Sequence, residues 1–335
     1  MVNVVIIGSG SIAFSRHIPS IQKSKNGRLY GFYNRNFQRT QKTVEQFGGI
    51  AYRSLNEIWE DKLVDAVIIC SPTPSHCELT ISSLNAGKHV LCEKPMAMNI
   101  KEAKAMREAA KKSGKKLMIS HNQRFYKPHM IAKELLRRNE IGKILTFRTF
   151  LGVVGRNDPT GVTWKNSIAE VGSHRIDLMR YLLGADVKKV FAHLMKLDLT
   201  LDTHGDDNGM VLLEYENGVT GIIVSSRTSY NANDRMTQIF GTEGAITLYG
   251  EKHLVIVEKR NGEKKVYTLP NEFPQSVVEI TGIDEKFIDS IVYDTEPIIT
   301  AKDGEAVVRT IDAIYLSNEQ ERWVYLEEIS SIKGD

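Results

Sequence analysis

No apolar run in this chain is long enough to span a bilayer, so no membrane-spanning helix is expected. Cysteine is scarce. The three present, Cys70, Cys77 and Cys92, have neither a metal-ligand spacing nor the pattern of a disulfide framework. No metal site is expected from them, and a reducing, cytoplasmic setting follows as the default. Excess charge is missing too. A net charge of +3 is too small to argue for nucleic acid or an anionic membrane as partner. Internal repeats and low-complexity tracts are absent, and no basic leader precedes the first apolar residues. What is there is an ordinary globular composition, 41% hydrophobic and 25% charged, over a length that suggests two domains.

Residues 2–7 form a β-branched run of the kind buried on both faces of a parallel sheet. The loop Gly8-Ser9-Gly10-Ser11-Ile12-Ala13 follows and opens a helix. This is the Gly-x-Gly-x-x-Gly/Ala pattern. Its first glycine permits the turn, its second lets backbone approach a pyrophosphate, and its third position must be small for helix and strand to pack. The residues also suit a plain strand-to-helix turn; their place after a first strand favours a dinucleotide cradle. Further strand signals lie near residues 28–33, 50–52, 66–70, 89–92 and 117–120, alternating with helical runs. Six strands alternating with helices predict a doubly wound α/β (Rossmann) domain over residues 1–121.

One more absence matters here. The second strand ends in Asn34-Arg35-Asn36, without the acid that usually accepts from both ribose hydroxyls. Asn34 with Arg35 suits a 2′-phosphate, so NADP is favoured over NAD; the plainer alternative is a solvated helix start. Ser71-Pro72-Thr73, with His76 beyond, is a rigid loop placed to line a nicotinamide pocket, and His76 reads equally as a helix N-terminal residue. The fifth strand runs into Glu93-Lys94-Pro95. An acid and a base at the carboxyl end of a strand have little use in a core, and ligands bind there in open α/β sheets.

From His121 the pattern changes. The turns Glu216-Asn217-Gly218, Thr242-Glu243-Gly244 and Arg260-Asn261-Gly262 separate strand-like runs and predict hairpins. Residues 122–335 therefore read as an α+β domain with a large, mostly antiparallel open sheet. Its outer face needs cover, and a second copy in a homodimer or homotetramer would supply it. Residues 152–166 are rich in glycine and carry Trp164 and Lys165, which suits a cover over cofactor or substrate better than an exposed indole. In residues 168–184, Glu170, His174 and Asp177 fall at i, i+4 and i+7, on one face if the run is α-helical. A polar stripe around a histidine suits acid–base work; the alternative is a solvated face with a Glu–His pair. Gly172 inside that helix implies a close neighbour. Substrate selection is expected in the 152–166 loop and around Arg227 and Tyr230.

The glycine loop, Glu93-Lys94-Pro95 and Glu170-x-Gly-x-His174-x-x-Asp177, taken together, resemble the Gfo/Idh/MocA oxidoreductases. The resemblance extends over nearly the whole chain, including Asn122-Gln123-Arg124-Phe125 and the C-terminal helix with Ser317. It implies an NAD(P)-dependent dehydrogenase acting on a secondary alcohol of a sugar, cyclitol or related polyol. Lys94 and His174 would be catalytic, with Glu170 standing where the family usually has Asp. Glu93 would lie near the nicotinamide ribose, and Asn122, Trp164 and Lys165 near the cofactor. Lys94, His174, Arg124 and Asp177 would face substrate, and the peptide before Pro95 would be cis. Both basic groups lie in motifs expected at the domain junction, where two cations would lower each other's proton affinity. Two rivals share the fold: a non-catalytic NADP-binding regulator, and an NAD-assisted glycosidase or lyase.

Overall fold

The computed structural model describes residues 1–153, 166–201, 205–229, 236–249, 254–268 and 282–331. The chain divides into two compact units, Met1–Asn122 with Ser276–Glu305, and Gln123–Gln275 with Ala306–Asp335. The segment after Gly282 thus returns to the first unit, where Ile283, Phe287 and Ile288 are fully buried.

The first unit is a six-stranded sheet of β1 (Val2–Ile7), β2 (Gly27–Tyr33), β3 (Ile50–Ala51), β4 (Ala66–Ile69), β5 (His89–Cys92) and β6 (Leu117–Ile119). Every pairing is parallel and the order is β3-β2-β1-β4-β5-β6. Val4, Val5, Ile6, Ile68 and Leu91 have no exposed surface, as continuous apolar strands under helices on both faces require. The order reverses between β1 and β4, so the carboxyl ends of those strands open the crevice where this fold binds ligands. Local chemistry sets the helices. Asn36 caps Phe37–Phe47 by accepting from the Gln38 and Arg39 amides, and Asn99 caps Ile100–Ser113, which Gly114 ends in the left-handed conformation.

The second unit holds a nine-stranded sheet: β7 (Ile144–Gly152), β8 (Val187–Met195), β9 (Asn208–Tyr215), β10 (Thr220–Ser226), β11 (Met236–Gly241), β12 (Gly244–Tyr249), β13 (Leu254–Lys259), β14 (Lys264–Thr268) and β15 (Val324–Tyr325). The three expected turns join β9 to β10, β11 to β12 and β13 to β14. All pairings are antiparallel except that of β10 with β7, which is parallel. Alternation along β9 buries Val211 and Leu213 while leaving Met210 and Leu212 exposed, so one face is packed and the other open. The helix Ala301–Gln320 joins the packed structure through Ser317 and Asn318, which accept from the β8 amides of Ala192 and Leu194. No described helix is long and apolar enough to cross a membrane.

Candidate active site

In the first unit the glycine loop meets the steric demands of a phosphate cradle. Gly8 has φ +101°, and a Cβ there would lie 2.8–2.9 Å from the main chain of Cys70 and Ser71, so no side chain is tolerated where β1 and β4 diverge. A Cβ on Gly10 would meet nothing within 4 Å. The space above the loop is open to a ligand approaching backbone, as a dinucleotide needs. Ala13 is fully buried against the sheet. At the end of β2, the Asn34 amide donates to Ser9 Oγ at 2.8 Å, tying the ribose end of the site to the loop. Arg35 is exposed and makes no ion pair among the described residues.

Past Ser11 and Ile12 the chain is helical, and Ala13–His17 adopts a π turn before the α-helix Ile18–Lys23 begins. The widened turn buries both Arg16 and His17, and both reach Glu93. Glu93 Oε1 accepts from His17 Nε2 at 3.1 Å, from Ser120 Oγ at 2.7 Å and from Arg16 Nη1 at 3.4 Å. Glu93 Oε2 accepts from the Lys94 amide at 3.1 Å. The other ring nitrogen of His17 pairs with Asp284 Oδ1 at 2.6 Å. Burial alone would raise the Glu93 pKa. The His17 hydrogen bond and the charges of Arg16, His17 and Lys94 overcome it and hold the carboxyl well below the usual range. Burial likewise disfavours a charged His17, but Asp284, with a smaller part from Cys70, raises its pKa well above 6.5.

Lys94 is half-buried, its main chain pinned to Glu93 and the following peptide cis. His76 is buried with Nδ1 2.9 Å from the Pro95 carbonyl and Nε2 2.8 Å from the Ser71 carbonyl. It therefore ties the Ser71-Pro72-Thr73 loop to the turn carrying Lys94. Burial lowers its pKa; the two carbonyls, which only accept, oppose that. Asn122 begins the short 3-10 turn Asn122–Phe125 and is buried.

In the second unit the Glu170–Asp177 run is not one regular α-helix. Asn166–Gly172 is a π turn, and the α-helix starts at Ser173 and runs to Leu183. The single polar face expected from i, i+4, i+7 spacing is therefore divided. Glu170 Oε2 lies 2.8 Å from Arg227 Nη1 at the end of β10. Asp177 is buried and receives Arg124 through two bonds, Nε at 2.9 Å and Nη2 at 2.5 Å. Arg124 also lies 5.3 Å from the Tyr181 ring centre. The two residues expected to face substrate thus hold each other. His174, on the first turn of the α-helix, is half-buried. Next to it Arg175 is buried and donates to Gln123 Oε1 at 3.1 Å, while the Gln123 carbonyl takes His129 Nδ1 at 2.7 Å. Burial, with the Arg175 charge, pushes His129 down to about 3, so its ring stays neutral.

Asp206 fastens the start of the π turn. Its carbonyl accepts from the Ser167 amide and its Oδ2 from the Ile168 amide, each at 2.9 Å, and Tyr315 donates to Oδ1. Gly172 is not the point of close approach: a Cβ there would meet Ile168 Cδ1 at an ordinary 3.4 Å. The tight spot is Gly209 on β9, where a Cβ would come within 2.8 Å of the Ile168 side chain.

Sequence reading missed Arg16, His17, Ser120 and Asp284 around Glu93, and Asp206 and Tyr315 beneath the π turn. Arg-His immediately after a glycine loop, at positions due to be buried, was the one available signal. Trp164, Lys165 and Tyr230 lie outside the described residues. Among those described, no cluster of three or more His, Cys, Asp or Glu is arranged to hold a metal ion.

Comparison with known proteins places both halves of the chain in one family. Residues 2–121 match the Gfo/Idh/MocA oxidoreductase family, NAD-binding Rossmann fold, and residues 129–247 match the C-terminal domain of the same family. Among similar proteins, myo-inositol 2-dehydrogenase of Thermotoga maritima is 28% identical over 97% of this chain and 98% of its own. The NAD(+)-dependent scyllo-inositol 2-dehydrogenase of Bacillus subtilis is 31% identical over 59% of this chain and 58% of its own. The crystal structure of a probable dehydrogenase from Thermotoga maritima superposes with a TM-score of 0.86 at 27% identity, covering 98% of this chain and all of that one. With its glycine cradle, its Glu-Lys-Pro strand end and its two matched domains, the chain belongs to the Gfo/Idh/MocA family of NAD(P)-dependent oxidoreductases.

Proposed function

We propose that this enzyme moves a hydride between a nicotinamide cofactor and a secondary alcohol carbon of a sugar or cyclitol, with Lys94 and His174 handling the proton. The observation that carries the proposal is Lys94: a half-buried cation at the carboxyl end of β5, its main chain fixed to the Glu93 carboxylate. The names of relatives acting on inositols support the substrate class. When bound, the nicotinamide accepts or supplies the hydride. Gly8, Ser9, Gly10, Ser11 and Ile12 cradle its pyrophosphate, while Ser71, Pro72 and Thr73, held through His76, line the nicotinamide end. His174 takes the hydroxyl proton in oxidation. Lys94 polarises the reacting oxygen and favours the alkoxide-like charge that develops there. Arg124, held in place by the buried Asp177, gives the polyol a fixed donor edge.

NADP is the preferred cofactor in this reading. Asn34 replaces the acid that would repel a 2′-phosphate, and Arg35 beside it has no ion-pair partner among the described residues. The kcat/KM ratio for NADP+ over NAD+ tests this: it should exceed one and fall about tenfold in Arg35→Ala. A wild-type preference for NAD+ overturns it.

The function is tested by screening cyclitols and aldoses with both cofactors, following the reduced-nicotinamide absorbance. Turnover of at least one polyol, lost in Lys94→Ala, is expected. A tightly held cofactor with no net turnover of any polyol overturns it. We also propose that the open face of the second sheet, with Met210, Leu212 and Val266 exposed, is covered by a second copy in a homodimer or homotetramer. Light scattering should then give at least twice the 37.7 kDa of one chain.

A further inference from the structure

We propose that His17, clamped by Asp284, is a positioning residue for the cofactor: it holds the Glu93 carboxylate in place and leaves Oε2 as the oxygen that accepts from a cofactor hydroxyl. Four groups meet out of water: Arg16 and His17 from the π turn, Glu93 from the end of β5, and Asp284 from the helix Ile283–Val292. His17 and Asp284 have no exposed surface, so neither touches a ligand. Glu93 keeps only a sliver of exposure.

The load on its two oxygens is unequal. Among the described residues, Oε1 takes Arg16, His17 and Ser120, whereas Oε2 takes the Lys94 amide alone. The second lone pair of Oε2 is the one left for a donor outside the protein. Asp284 is equally one-sided. Its Oδ1 pairs with His17, and its Oδ2 has no hydrogen-bond partner among the described residues. A buried carboxylate so sparsely bonded relies on the imidazolium beside it. The chain of contacts Asp284–His17–Glu93–Lys94 amide therefore transmits a charge balance set deep in the unit to the residue carrying the chemistry.

The groups facing this pair are Arg16 on its own turn, Cys70 at the end of β4, Lys94 and His76 at the strand-end loops, Ser120 after β6 and Asp284. Without the His17 charge, burial acts on Glu93 with less opposition. Its proton affinity rises, and the protonated acid loses an acceptor.

The test is cofactor binding without substrate, read by reduced-nicotinamide fluorescence with NADPH and NADH, from about pH 8 down to about pH 5. The wild-type Kd should stay level. In His17→Gln, which keeps a donor but no charge, the Kd should lie within roughly threefold of wild type at the alkaline end. It should weaken at least tenfold toward the acid end, as Glu93 takes up a proton. Glu93→Gln, fixed in the uncharged shape, should bind weakly at every pH. Asp284→Asn should follow His17→Gln in the same direction and serves if His17→Gln fails to fold. A Kd for His17→Gln or Asp284→Asn that is level with pH, whether unchanged or uniformly weakened, overturns the proposal. Because binding alone is read, failure to find a polyol substrate would leave this result standing.

Discussion

Each unit holds a widened helical turn beside candidate site residues, and the two turns are fastened in opposite ways. Ala13–His17 is locked by ionised groups buried on two other elements, and its Arg16 and His17 side chains point inward to Glu93. Asn166–Gly172 is held through its first amides, on Asp206, through neutral hydrogen bonds between Ser167 and Ser225, and through the apolar contact of Ile168 with Gly209. Its polar residue Glu170, and His174 just beyond, keep contact with solvent. The difference teaches where change is tolerated. A cofactor common to a family can be met by a site frozen in charge, because breaking a buried pair leaves an uncompensated ion. A substrate that varies needs side chains whose partners can be exchanged at lower cost.

The comparison is broken most severely at Lys94. If the first site carries the chemistry, Lys94→Ala should lower kcat by about 10³-fold, within the range for general acid–base groups, and leave the NADPH Kd within a few-fold. A loss confined to cofactor affinity would make Lys94 a binding residue only, and the contrast between a fixed cofactor site and an adjustable substrate site would lose its catalytic meaning.

Next in size is Asp206. In Asp206→Ala the Ile168 amide and the Tyr315 hydroxyl lose their acceptor, at a cost of about 2–4 kcal/mol in stability. Burial already pushes the Asp206 pKa up against its hydrogen bonds. A loosened turn should also slow the His174-dependent step by about tenfold, whereas Tyr315→Phe, which removes one donor, should cost only about 1 kcal/mol. Urea unfolding together with kcat separates the two effects. Unchanged stability in Asp206→Ala would show that the second turn is held by its apolar packing and its bonds to Ser225.

How much of this was legible in the sequence follows the same division. The first unit's strands lie within a residue or two of expectation because their determinants are local: a glycine turn or a β-branched run. The hairpins of the second unit were legible for the same reason. Its strand order was not, because β7 lies between β10 and β11, with Thr146 opposite Thr220, and no local signal encodes that pairing. Among the candidate site residues of the two units, Glu93, Lys94, Glu170 and His174 stood out as residue types in unusual places. Their partners did not. Asp284 meets His17 across 267 residues, and Arg227 meets Glu170 across 57. Helical spacing also misled, since i, i+4 arithmetic presumes 3.6 residues per turn and a π turn breaks it between Glu170 and His174.

A smaller effect separates the two fastenings by pH. His17 has a raised pKa in the folded state, so its contribution to stability is complete below its ordinary 6.5 and is lost as pH rises through the raised value. Glu93 is depressed, so its contribution is complete above 4.5 and is lost as pH falls toward its lowered value. The network therefore stabilises most between about pH 4.5 and about pH 6.5. His76, His89 and His129, lowered by burial, act in the opposite sense below 6.5. The informative quantity is then the Tm difference between wild type and His17→Gln, which should shrink as pH rises above about 6.5. A difference independent of pH would mean that His17 contributes packing and no charge.

The smallest effect is expected at Glu170, and its size is what the comparison predicts. Its carboxylate reaches Arg227 at 2.8 Å, with 41% of the side chain exposed. An exposed partner makes the pair weak, because water replaces much of what is lost. Glu170→Asp shortens the side chain by one methylene, so the carboxylate withdraws from Arg227, whose guanidinium is only 11% exposed. The KM for the polyol should rise about threefold to tenfold while kcat stays within about twofold, the signature of a contact made equally in ground state and transition state. Arg227→Lys should shift KM in the same direction, since an ammonium does not reproduce the guanidinium's directed bond. If Glu170→Asp instead lowers kcat by about 100-fold at constant KM, Glu170 acts on the proton that His174 carries. The second turn would then be as tightly bound to chemistry as the first.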